Sequence, residues 1–299
     1  MTVQEIIREG IRFLSRCGVR NPRRDAELIL CDLMRVDRVF LYSRPDHPVN
    51  PREESVFWEW LDRRARHYPI QYLRGFQEFY RRRFAVSPAV LIPRPETETV
   101  VDTLLEEVQR TKNPSLEVPR GRRQIRILEV GTGSGCIAVT LACEMESVRI
   151  VATDISSPAL AVARQNASTH GCMEKITWLQ ADGLGAFPPG QRIYDLIVSN
   201  PPYISFHDES IDPAVAVYEP SCSVYAGDSG LELYRHLLEY SSGLLRFPGR
   251  LVLELGYGQA NPVCSIAREV GWRLIQIKRD LAGIDRCAVF ALQNPNPGP

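Results

Sequence analysis

The chain has 299 residues, the size of one large or two modest domains. It is 44% hydrophobic and 24% charged, and its 36 Lys and Arg residues balance its 36 Asp and Glu residues. That balance argues against a nucleic-acid-binding protein that depends on bulk positive charge. Short basic clusters occur at 63–66, 81–83 and 120–123. We interpret them as solvated faces, with a partner-binding patch as the alternative.

The eight cysteines and five histidines form no metal or redox motif. No cysteine pair has Cys-x-x-Cys spacing, and no histidine stands at zinc-ligand spacing from a cysteine. Several cysteines lie in apolar runs, so we expect reduced thiols in a cytoplasmic protein that binds no metal. The N-terminal MTVQEIIREGIRFL is unlike a signal or transit peptide, and no apolar run approaches the roughly 18 residues of a membrane span. We therefore expect no membrane partner.

Residues 1–75 predict a small bundle of three or four short helices, which we expect to form a separate domain. Apolar residues between Ile6 and Leu14 recur at spacings near three and four. Asn21-Pro22 and Asn50-Pro51 each place a capping residue before a proline at the first helical position.

Residues 76–94 predict a hairpin or extended linker, because EFYRRRFAVSPAVLIP alternates aromatic and apolar residues with basic ones. A helical pattern returns in RPETETVVDTLLEEVQR, and we begin a third part, 95–299, there. The polar, proline-containing stretch 111–123 predicts a surface loop, and the tail 294–299 predicts disorder.

Apolar strands then alternate with helical segments. Strands are predicted at 125–130, 148–154, 175–182, 194–200 and 250–256, with two more at 273–280 and 287–292. One intervening helix is predicted over 230–245. This alternation predicts the α/β class, with a doubly wound, mostly parallel, Rossmann-like sheet and the small N-terminal helical bundle. The short link between the last two strands requires an antiparallel one.

A glycine loop, in LEVGTGSGC, follows the first of these strands and opens a helix. Its glycines let the backbone turn sharply and let a ligand approach closely. The spacing is G-x-G-x-G, and Cys136 stands where the dinucleotide fingerprint needs glycine. The loop therefore suits a nucleoside close to the backbone better than a pyrophosphate. The residues predicted to contact this ligand are Gly131, Thr132, Gly133, Ser134 and Gly135.

Two acids follow the next two strands. Asp154 ends the second strand, 23 residues after Gly131, where an acid can accept hydrogen bonds from both ribose hydroxyls. Asp182 ends the third strand, where the adenine edge would lie. A nucleoside without pyrophosphate in this fold predicts S-adenosylmethionine as cofactor, with a nicotinamide dinucleotide as the alternative.

The fourth strand delivers Asn200-Pro201-Pro202-Tyr203 to its tip. In the usual strand order this tip lies beside the glycine loop, where such sheets bind ligands, so Asn200 should also face the cofactor. The Asn200 side-chain carbonyl and the Pro201 backbone carbonyl can accept both N–H groups of a planar amide or aniline-like nitrogen. The two prolines stiffen this frame, and the Tyr203 ring can stack on a planar group. We predict these four as catalytic residues that act by positioning, which can contribute roughly 7–11 kcal/mol.

These motifs resemble those of N-methyltransferases that act on nitrogens of planar systems, namely adenine N6 methyltransferases of DNA and glutamine-amide methyltransferases of proteins. The chain is most similar to bacterial peptide chain release factor glutamine methyltransferases. The similar segments include PIQYLRGFQEFYRRRFAVSPAVLIPRPETE, DISSPALAVARQNA, EPSCSVYAGDSGLELYR and DLAGIDR, in family order over essentially the whole chain.

The resemblance implies a class I methyltransferase fold and transfer of a methyl group from S-adenosylmethionine. The implied acceptor is the side-chain amide of the glutamine in the Gly-Gly-Gln motif of class 1 release factors. By the same resemblance, Asn200 to Tyr203 hold the glutamine amide, while Gly131 to Gly135 and Asp154 hold the cofactor. The N-terminal bundle would dock another part of the release factor, and no direct contact with nucleic acid is expected.

Other substrates remain as alternatives. A glutamine methyltransferase of a ribosomal protein resembles the catalytic half, but the segment from Arg94 to Glu98 follows the release factor pattern. An adenine methyltransferase of DNA would be expected to have a target-recognition domain and a basic cleft, whereas this chain has balanced charge and only a short N-terminal bundle. A non-catalytic protein of this fold would be expected to lose the glycine loop or Asn200. The chain departs from the family at Gly183, where an aromatic residue often stacks on adenine.

Overall fold

The structure, a computed structural model, describes residues 1–111 and 124–293. The predicted tail and, apart from Thr111, the predicted surface loop lie outside these residues. The chain divides into two compact units. The first comprises Met1–Phe76 and Asp212–Tyr218, and the second comprises Gln77–Ile211 and everything from Glu219 onward.

The first unit contains five helices before residue 76, where the sequence pattern predicted three or four. They are α1 (Val3–Arg16), α2 (Pro22–Met34), α3 (Arg38–Ser43), α4 (Pro51–Ala65) and α5 (Ile70–Arg74). The helices α3 and α5 have six and five residues, too few to show a helical period.

Helix starts in this unit follow from capping chemistry. Asn50 and Glu53 form a capping box before α4, with Pro51 at its first position. The same proline signal starts α2, although the Asn21 side chain makes no capping hydrogen bond there. The apolar faces of the helices pack around Phe57 and other fully buried side chains.

The rest of the described chain contains nine strands and seven helices. They are β1 (Phe76–Phe79), β2 (Arg82–Ala85), α6 (Glu98–Thr111), β3 (Ile125–Val130), α7 (Cys136–Glu144), β4 (Val148–Asp154), α8 (Ser157–Thr169), β5 (Ile176–Gln180), β6 (Tyr194–Ser199), α9 (Pro213–Tyr218), α10 (Ser221–Val224), α11 (Glu232–Ser241), β7 (Leu245–Glu254), α12 (Ala260–Glu269), β8 (Trp272–Arg279) and β9 (Asp285–Leu292). Pro95–Thr97 forms a 3-10 turn before α6, and Met173–Lys175 forms another before β5. Helix α9 belongs to the first unit.

Seven strands form the main sheet, in the order β5-β4-β3-β6-β7-β9-β8. The strands from β5 to β7 are parallel, and β9 runs antiparallel to both of its neighbours. Strand β3 pairs with β4 on one side and β6 on the other, so the strand order reverses beside it. The predicted doubly wound, mostly parallel sheet is confirmed, as is an antiparallel strand, β9, among the last two strands of the chain.

Helices cover both faces of this sheet. Ile127 belongs to one buried apolar cluster and Leu128 to another, because successive residues of a strand point to opposite faces. Every residue of β6 is buried, as expected of a central parallel strand covered on both faces, and its middle residues Leu196 to Val198 are apolar.

The prediction was wrong at the start of β7. The helix predicted over 230–245 ends at Ser241, and the strand predicted from 250 begins at Leu245. Leu244 and Leu245 extend the helical pattern in sequence, but both are buried beside Tyr194, whose N–H donates to the Leu244 carbonyl at 3.1 Å. Pairing with β6 therefore overrides local helix propensity.

Candidate functional site

A cavity of about 840 Å³ opens at the carboxyl ends of β3, β4, β5 and β6, within the second unit. Its volume falls in the range of small-molecule sites, roughly 300–1,000 Å³. The predicted site residues that line it are Gly131, Thr132, Gly133, Ser134, Asp154, Asp182, Asn200, Pro201 and Pro202. Gly135 and Tyr203 are not among its lining residues.

The glycine loop divides into an open part and a packed part. The φ angles of Gly131, Gly133 and Gly135 are 75°, 55° and 79°, in the left-handed region that favours glycine. A Cβ at Gly131 or Gly133 would meet nothing within 4 Å, so there is room for a ligand beside the backbone. A Cβ at Gly135 would lie 3.1 Å from the Cβ of Ala163, so this glycine lets α7 begin close to α8.

Asp154 braces the loop as well as facing the cavity. Its carboxylate accepts from the Gly133 N–H at 2.8 Å and from the Ser156 N–H at 2.9 Å, one bond to each oxygen. Burial raises the pKa of Asp154, against the lowering effect of these donors. A carboxylate has about four acceptor positions, so two bonds leave capacity for the hydroxyls of a ribose.

Glu129 is a cavity residue that the sequence reasoning missed. It is buried in β3, and its carboxyl accepts from the Thr132 hydroxyl at 2.7 Å. Burial raises the pKa of Glu129 to about 8. The signal in the sequence was an acid inside the otherwise apolar end of a strand, directly before the glycine loop. A protonated carboxyl here can donate to, as well as accept from, a polar group of the ligand.

Asn200 lies at the tip of β6, next to the end of β3. The Ser199 hydroxyl ties the two strand ends together by donating to the Val130 carbonyl at 2.7 Å. The Asn200 side chain donates from Nδ2 to the Thr97 hydroxyl oxygen at 3.3 Å. Its nitrogen is thereby engaged, which leaves the carbonyl oxygen Oδ1 as the atom that can accept from a substrate. Thr97, also missed from sequence, lies in the RPETE segment.

The Tyr203 ring packs against Gly256. A Cβ on Gly256 would come within 2.7 Å of the Tyr203 Cδ2, so the ring packs over that glycine. Gln259 fixes the backbone by donating from Nε2 to the Tyr203 carbonyl at 2.8 Å. Burial raises the pKa of Tyr203 to about 12. Stacking of this ring on a substrate stays a prediction.

His236 fills the space beside Gly183. A Cβ on Gly183 would lie 2.7 Å from the His236 Nε2, and both residues line the cavity. The imidazole is held by the Leu184 N–H, which donates to Nε2 at 3.2 Å, and by the Tyr240 ring, whose centroid is 4.6 Å away. The departure from the family at Gly183 therefore coincides with an imidazole from α11 on the side expected for adenine.

We expect Gly183→Phe to weaken S-adenosylmethionine binding about tenfold or more, although it restores the family's aromatic residue. The new side chain would collide with His236 and would adopt a φ of 54°, where side chains are strained. Calorimetric titration measures the effect. The double variant Gly183→Phe/His236→Ala should recover part of the affinity. Equal affinities of the single and double variants would show that the imidazole is not the obstacle.

Within residues 1–111 and 124–293, no group of three or more His, Cys, Asp or Glu side chains is placed to hold a metal ion. All eight cysteines lie in this part of the chain, and none is in a disulfide. No helix of the same ranges is long and apolar enough to cross a membrane.

The basic clusters are partly neutralised by ion pairs. Arg64 pairs with Asp25 at 2.7 Å, and Arg82 pairs with Glu144 at 2.6 Å. The cluster at 120–123 lies outside the described residues. Two of the three clusters therefore contribute to intramolecular structure.

The cavity fits S-adenosylmethionine. It is large enough for a nucleoside with an amino acid chain, it is open beside Gly131 and Gly133, and it presents the Asp154 carboxylate at the end of β4. A doubly wound sheet with a G-x-G-x-G loop after one strand and an acid at the end of the next is the arrangement expected of class I S-adenosylmethionine-dependent methyltransferases.

Comparison with known proteins identifies the family. The models of the PrmC N-terminal domain and the methyltransferase small domain match residues 5–75 and 114–218. The chain is 40% identical over 288 residues to the release factor glutamine methyltransferase of Moorella thermoacetica, covering 96% of this chain and 97% of that one. It is 37% identical over 290 residues to that of Koribacter versatilis, covering 97% and 98%. The chain belongs to the release factor glutamine methyltransferase family.

A solved structure supports the fold. The catalytic domain of hMettl16, in complex with MAT2A 3′UTR hairpin 1, matches with a TM-score of 0.54 and 14% sequence identity. The match covers 95% of this chain and 92% of that one. At this identity the likeness shows the methyltransferase fold alone.

Proposed function

We propose that this chain transfers the methyl group of S-adenosylmethionine to the side-chain amide nitrogen of a glutamine in a class 1 peptide chain release factor. Membership of the family supports the release factor as substrate, and the resemblance in sequence implies the glutamine of its Gly-Gly-Gln motif. The observation that carries the proposal is the placement of Asn200. Its amide nitrogen is held by Thr97 at the tip of β6, beside the glycine loop.

The chemistry required of the protein is positioning. S-adenosylmethionine, when bound, supplies an electrophilic methyl group. A glutamine amide is a poor nucleophile because its nitrogen lone pair is delocalised. The Asn200 Oδ1 and the Pro201 backbone carbonyl can accept its two N–H groups and turn the nitrogen toward the methyl group. The neutral amide nitrogen becomes positively charged when it accepts the methyl group, and it then loses one of its protons readily, so no strong general base is required. Alignment of this kind can be worth roughly 7–11 kcal/mol.

The remaining assignments extend this proposal to the whole chain. We propose residues 1–75 as a domain that docks the release factor, 76–94 as the connecting segment and 95–299 as the methyltransferase domain. Gly131, Thr132, Gly133, Ser134, Asp154, Asp182 and Asn200 contact the cofactor, and Gly135 shapes the loop by letting α7 begin close to α8. The balanced charge supports a protein substrate without direct contact to nucleic acid or membrane. We place the reaction in the cytoplasm, where release factors act.

A methyl-transfer assay with labelled S-adenosylmethionine tests the substrate. Intact release factor is expected to take up label, and a release factor with the Gly-Gly-Gln glutamine changed to alanine is not. Label on both proteins would place the target at another residue. Label on neither, with S-adenosylmethionine bound normally in calorimetry, would reject the release factor as substrate.

A further inference from the structure

A single permanent cation lies in the wall of the cavity. Arg94 is the only lysine or arginine among the described residues that line it, whereas the acidic lining residues are Glu129, Asp154, Asp182 and Glu232. S-Adenosylmethionine carries positive sulfonium and ammonium groups and a negative carboxylate. The acids suit the positive groups of the cofactor, and Arg94 is the lining side chain whose charge suits the carboxylate.

The Arg94 guanidinium is anchored by a buried acid, Glu219. The Glu219 side chain is 2% exposed, and one of its carboxylate oxygens accepts from the Arg94 Nη2 while the other accepts from the Ile92 N–H at 3.1 Å. Glu219 thus holds both the side chain of Arg94 and the backbone that leads to it. Pro93 and Pro95, on either side of Arg94, restrict that backbone further. The position of the guanidinium is therefore set before a ligand binds.

The ion pair leaves donors of Arg94 for a ligand. A guanidinium has five N–H donors in a planar fork, and one carboxylate oxygen occupies only part of them. The Arg94 side chain is 33% exposed and lines the cavity, whereas Glu219 is not among the lining residues. The cation is thus presented to the cavity while its counter-ion is not. Charge-assisted hydrogen bonds from such a fork match the geometry of a carboxylate ligand.

The position of Arg94 agrees with that expected for the amino acid end of the cofactor. Thr97, in the turn that follows Arg94, accepts from the Asn200 Nδ2 at 3.3 Å, so this segment borders the tip of β6. Strand β3 lies between β6 and β4, the strand that ends in Asp154. A cofactor with its ribose at Asp154 and its methyl group at Asn200 spans these strand ends. Its amino acid chain leaves the same sulfur atom as the methyl group, so the carboxylate lies at the Asn200 end of the cavity.

We propose that Arg94 binds the carboxylate of S-adenosylmethionine, and that Glu219 is a positioning residue that holds the Arg94 guanidinium toward the cavity. The inference rests on the proposed function in one respect, since it takes Asn200 as the place of the methyl group. It does not depend on which protein is methylated. The buried charge of Glu219 is then explained by the cation that it fixes at the cofactor site.

Decarboxylated S-adenosylmethionine, which keeps the sulfonium and the amine, tests the inference by calorimetric titration of the full chain. Loss of the carboxylate also raises the net charge of the ligand, so the quantity to compare between variants is a ratio, the Kd of the decarboxylated ligand divided by that of S-adenosylmethionine. Arg94→Met should raise the Kd of S-adenosylmethionine about tenfold or more and leave that of the decarboxylated ligand unchanged or lower. The ratio should therefore fall about tenfold or more.

Two further arginine variants sharpen this test. Arg94→Lys keeps the charge but loses the planar fork, so its ratio should lie between those of wild type and Arg94→Met. Arg82→Met is the matched control and should keep the wild-type ratio. Arg82 pairs with Glu144 at 2.6 Å in the same unit, and it does not line the cavity.

Glu219→Gln tests the positioning role. Glutamine keeps the size and an acceptor oxygen but not the charge, so the ratio should fall, though less than in Arg94→Met. In Arg94→Met/Glu219→Gln the ratio should equal that of Arg94→Met, because Glu219 acts through Arg94. This double variant leaves neither charge of the pair without its partner, so it reports the ratio even if Arg94→Met alone does not fold. Glu219→Asp, which keeps the charge but shortens the side chain, repeats the test if Glu219→Gln does not fold.

Three outcomes would contradict the inference. Equal weakening of both ligands by Arg94→Met would show that Arg94 only supports the cavity wall, and unchanged Kd values would remove Arg94 from the cofactor site. A ratio that falls in Arg94→Met but not in Glu219→Gln would reject the positioning role of Glu219.

Methylation of release factor separates the inference from the proposed function. In single-turnover assays with S-adenosylmethionine far above its Kd, Arg94→Met should recover most of the wild-type rate, because cofactor binding alone has been weakened. A loss of rate that persists at saturation would assign Arg94 to the site of the methyl acceptor and overturn the inference. If wild type does not methylate release factor but the Kd ratio depends on Arg94, the substrate is wrong and the carboxylate site stands.

Discussion

Alanine at position 200 is expected to lower methyl transfer to release factor about 100-fold, with a much smaller change in the affinity for S-adenosylmethionine. Asn200 lies in the cavity wall at the tip of β6, whereas the cofactor contacts are assigned to the glycine loop and Asp154. In the proposed arrangement, loss of Oδ1 leaves the glutamine amide with one fixed acceptor, the Pro201 carbonyl, so that the amide can rotate. A misplacement of about 1 Å can cost about 100-fold in rate.

Two measurements test this prediction. Single-turnover methylation gives the rate of methyl transfer, and calorimetric titration gives the Kd of S-adenosylmethionine. Asn261→Ala is the matched control, because Asn261 is an exposed asparagine in α12 of the same unit and should behave as wild type. If cofactor affinity fell as far as the rate, Asn200 would be a cofactor ligand first, and its proposed role in aligning the amide would be wrong.

The part of the site that sequence predicts well is local in the chain. Gly131 to Gly135 follow one strand directly, and Asp154 ends the next, so the βαβ connection alone brings them together. The glycine spacing also carries chemical information, because it depends on how close a ligand comes to the backbone. Hydrophobic periodicity and motif spacing are therefore sufficient to predict a site feature that is formed by neighbouring segments of the chain.

The part that sequence does not predict depends on long-range packing. Thr97 meets Asn200 across 103 positions of the chain, and no short motif encodes that contact. The sequence indicates only that Gly183 lacks the aromatic side chain that often stacks on adenine in this family. The structure shows that the His236 imidazole occupies the space beside Gly183. The direction of the Tyr203 ring depends in the same way on Gly256. These contacts are set by which helices and strands pack together, and several pairings satisfy the same local pattern.

Alanine at position 154 is expected to weaken S-adenosylmethionine binding about 100-fold, for two reasons. The ribose hydroxyls lose the acceptor proposed for them, and the N–H groups of Gly133 and Ser156 lose the acceptor they have in the structure. Hydrogen bonds to a charged group are worth about 1.5–3 kcal/mol each, and the second loss also loosens the loop that lies beside the ligand. Asp182→Ala should have a smaller effect, because no hydrogen bond of its side chain to the loop is seen in the described residues. Calorimetric Kd values and thermal unfolding of each variant provide the measurement.

A cofactor analogue lacking the ribose 2′-hydroxyl separates the two causes. Wild type should bind the analogue more weakly than S-adenosylmethionine, whereas Asp154→Ala should bind both with similar Kd values, because the partner of that hydroxyl has gone. RT times the logarithm of one Kd ratio divided by the other is the coupling free energy between Asp154 and the hydroxyl. A coupling of zero with overall affinity still lost would assign Asp154 to bracing the loop alone. An unchanged Kd for both ligands would remove Asp154 from the cofactor site, because neither the loop contact nor the ribose contact could then contribute to binding.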